Sequence, residues 1–418
     1  MARKRSDTGD NPSYNLYVVM DLVRTHEVLS RADIVRRTGL AAQTVSNIVE
    51  VLLKADLLRE ERRPVTGRGQ PPLDLRINPK ARYALGVALA GGRMISVLCD
   101  LAGEEVALID EAISSMDPAD VLPKVAAHYQ ELLDQADVPR ERMLGMGLVM
   151  PGLTESGQFS TLVSEHPWRG MWQDRPFIQE LTELTSLPVL TDSDRSAAAL
   201  SERLSGTGRG IQNFLYVYFG AGIGAGMVFA GLPYRGGTGR AGEIGHMVVV
   251  ENGIPCGCGN RGCLERYASL QALQAALTGK AFGEGRLDPG LLSHAVREGN
   301  PIAMDWLDQA AGHLRSAIVS IENTLDLDQV VLGGIIPGEI LDALIERLLP
   351  LPASVRSGLG MAETRLMKAA IGRTSPARGA AALVILQSTV PDFSVLGSQG
   401  QMAVRPGILG QRGENSPK

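Results

Sequence analysis

One histidine and three cysteines lie close together in the chain, at a spacing typical of a metal site. They are His246, Cys256, Cys258 and Cys263, and glycines lie between the cysteines. One imidazole and three thiolates form a complete tetrahedral ligand set for zinc, and glycine lets the backbone curl until every sulfur faces inward. Because four protein ligands leave no position for water, we expect a structural zinc ion and not a hydrolytic one. The alternative is three buried thiols beside a surface histidine.

The composition indicates the class of protein that surrounds this cluster. The chain has 418 residues, of which 44% are hydrophobic and 21% are charged, and these values exclude a disordered or fibrous protein. The length suggests roughly three domains at about 150 residues each. Because there are only four cysteines, three of them clustered, a disulfide framework is excluded and a cytoplasmic location is expected. No apolar run follows the basic N-terminal residues, so we expect no signal peptide.

Charge divides the chain into a basic head and an acidic body. Residues 1–80 carry 14 lysines and arginines against 10 acidic residues, a net charge of +4. The remaining residues carry 27 against 36, a net charge of −9, which gives the whole chain a charge of −5. This division indicates that only the head meets an anionic polymer such as double-stranded DNA.

The pattern of the head predicts three short helices. Apolar residues at helical spacing predict the first over about residues 15–24. Ser30 begins the second, Asp33 completes a capping box, and Gly39 ends the helix. The third has an apolar stripe, formed by Val45, Ile48, Val49, Leu52 and Leu53. Two short helices joined by a glycine turn are the helix-turn-helix pattern.

The third helix also carries small polar side chains near its beginning. They are Gln43, Thr44, Ser46 and Asn47. Side chains of this kind near the N-terminal end of a recognition helix read base edges in the major groove. We therefore predict that these four residues contact DNA. The alternative is a helical hairpin that packs on a protein partner.

A hairpin that follows the third helix directly is predicted to be a wing. A strand beginning at residue 57, a loop over 62–72 and an alternating strand over 73–77 carry this pattern. At the tip, Arg68 lies between two glycines, which allow a close approach of the backbone. Narrow minor grooves attract arginine, so we predict that Arg68 contacts the minor groove. The alternative is a solvated basic loop.

The body repeats one order of elements. Strands, a hairpin turn, a helix and a further strand occur over residues 82–150, and the same order returns from residue 214 to about 334. The uncharged stretch 214–234 is long enough to span a membrane, but its five glycines and one proline indicate strand, turn and strand instead. Two such halves predict a bilobal α/β body with a cleft between the lobes.

Two segments around the metal cluster resemble the signature of the ROK family, which comprises repressors, open reading frames and sugar kinases. They are Gly242–His246 and Cys256–Glu265. With the winged head in front, the chain resembles the repressor branch of that family over about residues 14–390. The resemblance implies an actin-like, ribonuclease H-like sugar-kinase fold, a structural zinc ion and a sugar pocket between the lobes.

On this basis four parts of the chain are expected. Residues 1–80 form the winged helix-turn-helix domain. Residues 81–195, with about 377–390, form the small actin-like lobe, and residues 196–376 form the large lobe with the zinc knuckle. Residues 391–418 are polar and are expected to form a loose tail.

The resemblance also implies which residues bind sugar. Glu243, His246 and Glu265 match hydroxyl-binding positions of the family signature. Asp194 matches the aspartate that binds sugar and acts as the base in the kinases, and Ser193 stands where the family usually has asparagine. Carboxylates suit sugars because they accept hydrogen bonds from hydroxyls, whereas serine offers fewer hydrogen bonds than an amide. The alternative for Asp194 and Glu243 is ordinary capping of nearby helices.

Both phosphate loops of the family's kinases are altered here. Where the kinases have Asp-x-Gly-Gly-Thr, this chain has Ala88 in place of the aspartate and Gly92 in place of the threonine. Where the second loop usually reads Gly-Thr-Gly, this chain has Ala221 between the glycines. Because phosphoryl transfer depends on positioning and charge stabilisation, these changes predict that ATP is not used.

Together these features predict a sugar-responsive DNA-binding transcriptional regulator without enzyme activity, a repressor of genes for carbohydrate uptake or catabolism. Its expected partners are double-stranded operator DNA, a sugar or sugar phosphate effector, and further copies of the chain. At least a homodimer is expected because two heads must meet two half-sites. Two alternatives remain: an ATP-dependent sugar kinase with a fused head, and a repressor titrated by a protein partner.

Overall fold

The head is a winged helix-turn-helix, as the sequence predicts. The computed structural model describes residues 12–26, 28–62, 73–159, 168–173, 175–355 and 365–388. The elements of the head are α1 (Pro12–Thr25), α2 (Arg31–Thr38), α3 (Ala42–Lys54), β1 (Leu58–Arg62) and β2 (Leu73–Ile77). The two strands pair in antiparallel fashion, with Leu58 opposite Ile77 and Arg62 opposite Leu73.

Local capping chemistry defines the turn between α2 and α3. The Ser30 hydroxyl accepts a hydrogen bond from Asp33 N, and the Asp33 carboxylate accepts one from Ser30 N, which confirms the predicted capping box. Gly39 follows the last residue of α2 with a φ of 69°, a left-handed conformation that glycine adopts without strain. The apolar stripe of α3 packs in the core of the head, where Leu53 alone of the predicted stripe is only partly buried.

The first half of the body is a five-stranded sheet with helices packed on it. Its strands are β3 (Tyr83–Ala90), β4 (Arg93–Asp100), β5 (Glu105–Ala112), β6 (Met143–Val149) and β7 (Val189–Asp192). Their order in the sheet is β5-β4-β3-β6-β7. Helices α4 (Pro118–Ala136), α5 (Arg169–Gln173) and α6 (Phe177–Thr185) belong to this half, and its last strand leads into α7 (Asp194–Ser205), which packs on the other sheet.

The second half repeats this strand order as β10-β9-β8-β11-β12. Its strands are β8 (Phe214–Phe219), β9 (Ile223–Phe229), β10 (Leu232–Pro233), β11 (Gln329–Gly334) and β12 (Leu366–Lys368). Its helices are α8 (Glu265–Ala268), α9 (Leu270–Thr278), α10 (Pro289–Arg297), α11 (Pro301–Leu325), α12 (Gly338–Leu348) and α13 (Ser375–Ser388). None of the helices in the described ranges has both the length and the apolar character that a membrane span requires.

Helices α7 and α13 lie against each other between the two sheets. Each follows one sheet along the chain and packs on the other, α7 on β8 and β9, and α13 on β3 and β6. The approach is close because small residues line it. A Cβ atom at Gly379 would lie 1.7 Å from the Ala197 carbonyl oxygen, and one at Gly147 would lie 2.0 Å from that of Ala380. The two helices thereby join two lobes of the same strand order, which is the bilobal actin-like arrangement.

Replacing Gly379 with alanine tests this close approach. The added methyl group would collide with the Ala197 backbone, so we expect the free energy of unfolding to fall by about 1–3 kcal/mol. Gly312→Ala is the matched control, because Gly312 is an exposed glycine of α11 with open space around an added Cβ. This control should raise the free energy of unfolding by about 0.5–1 kcal/mol. Urea unfolding measures both, and equal effects would contradict the close crossing.

Candidate functional site

The four predicted metal ligands come together at one place. His246 ends a single turn of 3₁₀ helix, and the three cysteines lie on the loop that follows. Their four ligand atoms lie within 4.8 Å of one another. Cys258 Sγ is 3.6 Å from Cys263 Sγ, and Cys256 Sγ is 3.5 Å from His246 Nδ1. Tetrahedral zinc with Zn–S bonds of about 2.3 Å places its sulfur ligands about 3.8 Å apart, so this spacing fits zinc.

Glycine allows the loop of the metal cluster to curl. Gly259 N donates to the Cys256 carbonyl at 3.0 Å. Gly262 has a φ of 79°, and a Cβ there would lie 1.7 Å from the Val250 carbonyl oxygen, so a side chain does not fit. Burial, followed by the other two thiols, raises the pKa of Cys263 to about 12. The Cys263 sulfur therefore becomes a thiolate at neutral pH only where a cation offsets its charge. At Cys258 hydrogen bonds, first that from Asn260 N, outweigh burial and lower the pKa of the thiol, so this sulfur is the readier thiolate ligand.

The sugar residues predicted near residue 194 lie at the start of α7. Ser193 is the N-cap, and its hydroxyl accepts a hydrogen bond from Ser196 N at 3.2 Å. Asp194 lies in the first turn, where burial raises its pKa against the opposing effect of Arg195. The Asp194 carboxylate accepts a hydrogen bond from Arg195 N at 2.9 Å in the first turn of α7, so the capping alternative stands for Asp194 beside the sugar-binding prediction. Glu243 makes no capping hydrogen bond among the described residues.

The carboxylates of the signature reach the same region of the body. Glu243 Oε1 accepts a hydrogen bond from Arg195 at 2.6 Å, which joins the signature to the start of α7. Glu265 Oε1 lies 3.7 Å from His246 Nδ1, and burial raises the pKa of Glu265. Glu243 is near enough to both Asp194 and Glu265 to raise the pKa of each. The predicted sugar residues therefore gather beside the metal cluster.

Two arginines of this region are absent from the sequence prediction. Arg235 donates to Asp192 Oδ2 from Nε and Nη2 at 3.0 and 2.6 Å, and the Asp192 side chain is only 4% exposed. Arg195, which holds Glu243, lies against Gly224, where a Cβ would be 2.9 Å from the arginine Cδ. A positive charge inside the aspartate segment was the available signal for Arg195. Its partner lies 48 residues away, so no local pattern reveals the pair.

A cavity of about 730 Å³ lies between the lobes beside the turn that joins β3 to β4. Its cationic lining side chains are Arg93, Arg286, Lys368 and Arg373, and none of the described residues that line it carries a carboxylate. Arg286 reaches across from the second lobe and donates to the carbonyls of Gly91 at 2.8 Å and Gly92 at 3.0 Å. Because Ala88 also lines this cavity, the lining offers no carboxylate ligand to a magnesium ion.

The predicted DNA contacts of the head lie on the first half of α3. Gln43 and Asn47 are exposed, whereas Thr44 and Ser46 are half-buried. Gln43 Nε2 donates to Asn47 Oδ1 at 2.9 Å, so the two amides present one continuous polar edge. Arg68, predicted for the minor groove, lies outside the described residues.

Comparison with known proteins agrees with a separate head and body. A model of the ROK family matches residues 86–387, and a model of the MarR family matches residues 16–69. The xylose repressor of Bacillus subtilis is 28% identical over 374 residues, which are 89% of this chain and 94% of that protein. The DNA-binding transcriptional repressor Mlc of Escherichia coli is 26% identical over 316 residues, 73% of this chain and 77% of Mlc. The glucokinase of Halalkalibacterium halodurans is 31% identical over 267 residues, 60% of this chain and 80% of the kinase.

Solved structures have the same architecture. A ROK family transcriptional regulator, a homolog of the Escherichia coli MLC protein, aligns with a TM-score of 0.68 at 24% identity over 91% of this chain and 98% of that chain. The ROK hexokinase from Thermus thermophilus aligns with a TM-score of 0.58 at 28% identity over 73% of this chain and 99% of that chain. The family model alone spans well over half of the residues. The chain therefore belongs to the ROK family.

Proposed function

We propose that this protein is a sugar-responsive DNA-binding repressor of genes for carbohydrate uptake or catabolism. One observation carries the proposal: a single chain joins an exposed polar recognition helix to a cluster of carboxylates in a sugar-kinase body. The xylose repressor of Bacillus subtilis, which is similar over both parts, supports it. The similar glucokinase matches only 60% of the chain.

The head binds double-stranded operator DNA through α3. The residues that contact base edges in the major groove are Gln43, Thr44, Ser46 and Asn47, whose amides and hydroxyls can distinguish base pairs. Arg68 at the tip of the wing contacts the minor groove. The protein acts as a homodimer or higher oligomer, so that two heads meet half-sites about 34–36 Å apart or a multiple of that distance.

The sugar or sugar phosphate effector binds beside the metal cluster. The residues that hold it are Ser193, Asp194, Glu243, His246 and Glu265. The carboxylates accept hydrogen bonds from sugar hydroxyls. Because His246 turns Nδ1 towards the cysteines, its Nε2 remains for the sugar. The effector must share Glu243 with Arg195, which donates to it at 2.6 Å. Xylose is the first sugar to test, since similar proteins are xylose repressors.

The metal cluster holds a structural zinc ion. His246 and the three cysteines fill its coordination sphere, so no position remains for water. A zinc ion held by these four residues would anchor the signature loop, and His246 would then keep its imidazole oriented towards the sugar. The ion thus supports the pocket and takes no part in hydrolysis.

The protein does not transfer phosphate from ATP. Ala88 and Gly92 lack the carboxylate and the hydroxyl that the kinases carry at these positions. The guanidinium of Arg286 is bonded to the turn carbonyls that would face the phosphates. The cavity therefore retains the backbone shape of a nucleotide site without the groups that phosphoryl transfer needs.

Fluorescence anisotropy on DNA from upstream of the protein's own and neighbouring genes tests the function. Near physiological salt we expect sequence-specific binding that xylose, or one other member of a panel of sugars and sugar phosphates, alters. Gln43→Ala should weaken specific binding about tenfold and leave non-specific binding unchanged, because it removes one base contact. Gln135→Ala, an exposed glutamine of α4, is the control. Specific binding that no sugar alters would favour a protein partner, and the absence of specific binding would contradict the proposal.

Replacing Cys258 with serine tests the zinc ion. We expect bound zinc to fall from about one ion per chain and the melting temperature to drop, because the binding free energy of a structural zinc contributes to folding. Cys99→Ala is the control, since Cys99 is a buried cysteine of a different core cluster. It should leave the zinc content unchanged. Elemental analysis gives the stoichiometry, and full zinc content in the Cys258 variant would contradict the assignment.

A coupled assay for ADP release over the same panel of sugars tests the loss of kinase activity. We expect no release above the background without sugar. Restoring the kinase residues by Ala88→Asp and Gly92→Thr is the informative variant pair, because any activity it gains would trace the loss to these two positions. Sustained ADP release by the unaltered protein would favour the sugar kinase instead.

A further inference from the structure

The contact between head and body lies at the end of α7 that is far from the sugar residues. Asp194 is in the first turn of α7 and Arg203 is in its last turn. At a rise of 1.5 Å per residue the two lie about 14 Å apart along the axis. Every residue from 197 to 204 is buried. A short helix held on all sides moves as one body, so a displacement at its start reaches its end.

Arg203 joins the end of α7 to the first helix of the head. Its side chain is only 2% exposed, and one guanidinium nitrogen donates to both carboxylate oxygens of Asp21 at 2.8 Å. Arg209, just after α7, donates to the carbonyl oxygen of Arg24 from Nε at 3.0 Å and from Nη2 at 2.8 Å. We call these four residues the seam. It connects α1 with the helix that begins in the sugar region.

The seam contains three guanidinium groups and one carboxylate, and two of the guanidinium groups, those of Arg24 and Arg203, are buried. Arg24 is 4% exposed, and none of its three guanidinium nitrogens has a hydrogen-bond partner among the described residues. Burial lowers its pKa to about 10, although Asp21 and Tyr17 favour the charged form and Arg203 opposes it. Within the described part of the chain, Asp21 is the carboxylate that both buried guanidinium groups, those of Arg24 and Arg203, approach. Burial of an unpaired charge raises the free energy of the docked head. The free-energy difference between the docked and the released head is therefore small.

The last turn of α7 is also hydrogen-bonded to the second lobe. The Glu202 carboxylate is fully buried and accepts hydrogen bonds from the backbone nitrogens of Thr207 at 2.6 Å, Ile371 at 2.7 Å and Ala370 at 3.2 Å. The 370–371 segment lines the cavity between the lobes. A path of hydrogen bonds therefore runs from the cleft to the residue next to Arg203.

We propose that α7 transmits the state of the sugar pocket to the DNA-binding head, with Arg203 and Asp21 as its positioning pair and Arg24 as the charge that keeps the head close to release. The proposal rests on the proposed function, which it extends to the regulation of the same pocket. An effector that binds Asp194 and Glu243 changes the forces on the start of α7. A shift of the helix weakens the Arg203–Asp21 pair, and release of the head then exposes the Arg24 guanidinium to water. The two positions of the head are the two states that such a response requires.

Hydrogen–deuterium exchange of the full-length protein, without DNA or sugar, tests the transmission as a double-mutant cycle. Glu243→Gln frees Arg195 at the start of α7, and Arg24→Met removes the unpaired charge at the seam while keeping most of the volume. We expect Glu243→Gln to speed exchange of the α1 amides about threefold or more. Interaction energies between coupled residues usually correspond to at least about this change in an equilibrium constant. Arg24→Met should slow it by a similar factor, and in that background Glu243→Gln should have no further effect on α1.

Two references keep this cycle specific. The α3 amides report the stability of the head itself and should not change. Glu180→Gln removes the ion pair between Glu180 of α6 and Arg175, which precedes that helix. It should leave the exchange rate of the α1 amides unchanged, with or without Arg24→Met. Glu243→Gln could change the exchange rate of the α1 amides by the same factor in the unaltered and the Arg24→Met proteins, or change it in neither. Either result would show that α7 does not transmit the state of the pocket. Faster exchange in Arg24→Met would show that Arg24 stabilises the docked head. Because the cycle uses neither DNA nor sugar, its failure would leave the repressor proposal to its own test.

Discussion

The close crossing of α7 and α13 is the constraint on which the rest of the body depends. Glycine and alanine bring the two helix backbones nearly into contact, so the two sheets stand at a separation that larger side chains would not permit. At this crossing α7 follows the first sheet and packs on the second, and its first turn holds Asp194 beside Arg195 and Glu243. The small apolar residues of the crossing, such as Gly379 and Ala197, therefore help to position Asp194 although they have no reactive side chain.

The two sides of the cleft differ in the charged side chains that they carry. Beside the metal cluster lie several carboxylates, and Arg195 and Arg235 neutralise two of the acidic groups there. On the side of the large cavity, cationic side chains line a space without carboxylates. Phosphoryl transfer needs a metal cation that acidic side chains of the protein hold in place. Sugar binding needs only groups that accept hydrogen bonds from hydroxyls. A body without the first requirement can still meet the second, because the two depend on different side chains.

The sequence by itself determined the features whose chemistry is local. The capping box of Ser30 and Asp33 and the left-handed turn at Gly39 each involve atoms a few residues apart, so residue type and spacing suffice to predict them. The cysteine cluster is local in the same sense, because three of its ligands lie within one loop. The repeated strand order of the body was likewise readable, since period and turn residues are properties of short segments.

Only the tertiary structure decided which distant groups meet. Arg195 lies 48 residues from Glu243, and Arg203 lies 182 residues from Asp21, so no period or motif relates the partners. The unpaired guanidinium of Arg24 was equally hidden, because in sequence it is an ordinary basic residue in the last turn of a helix. Pairing and burial depend on how whole elements pack, and in the body α7 and α13, which lie far apart in the chain, cross at close range. Local chemistry therefore named most of the candidate site residues, and the fold alone connected them to the head.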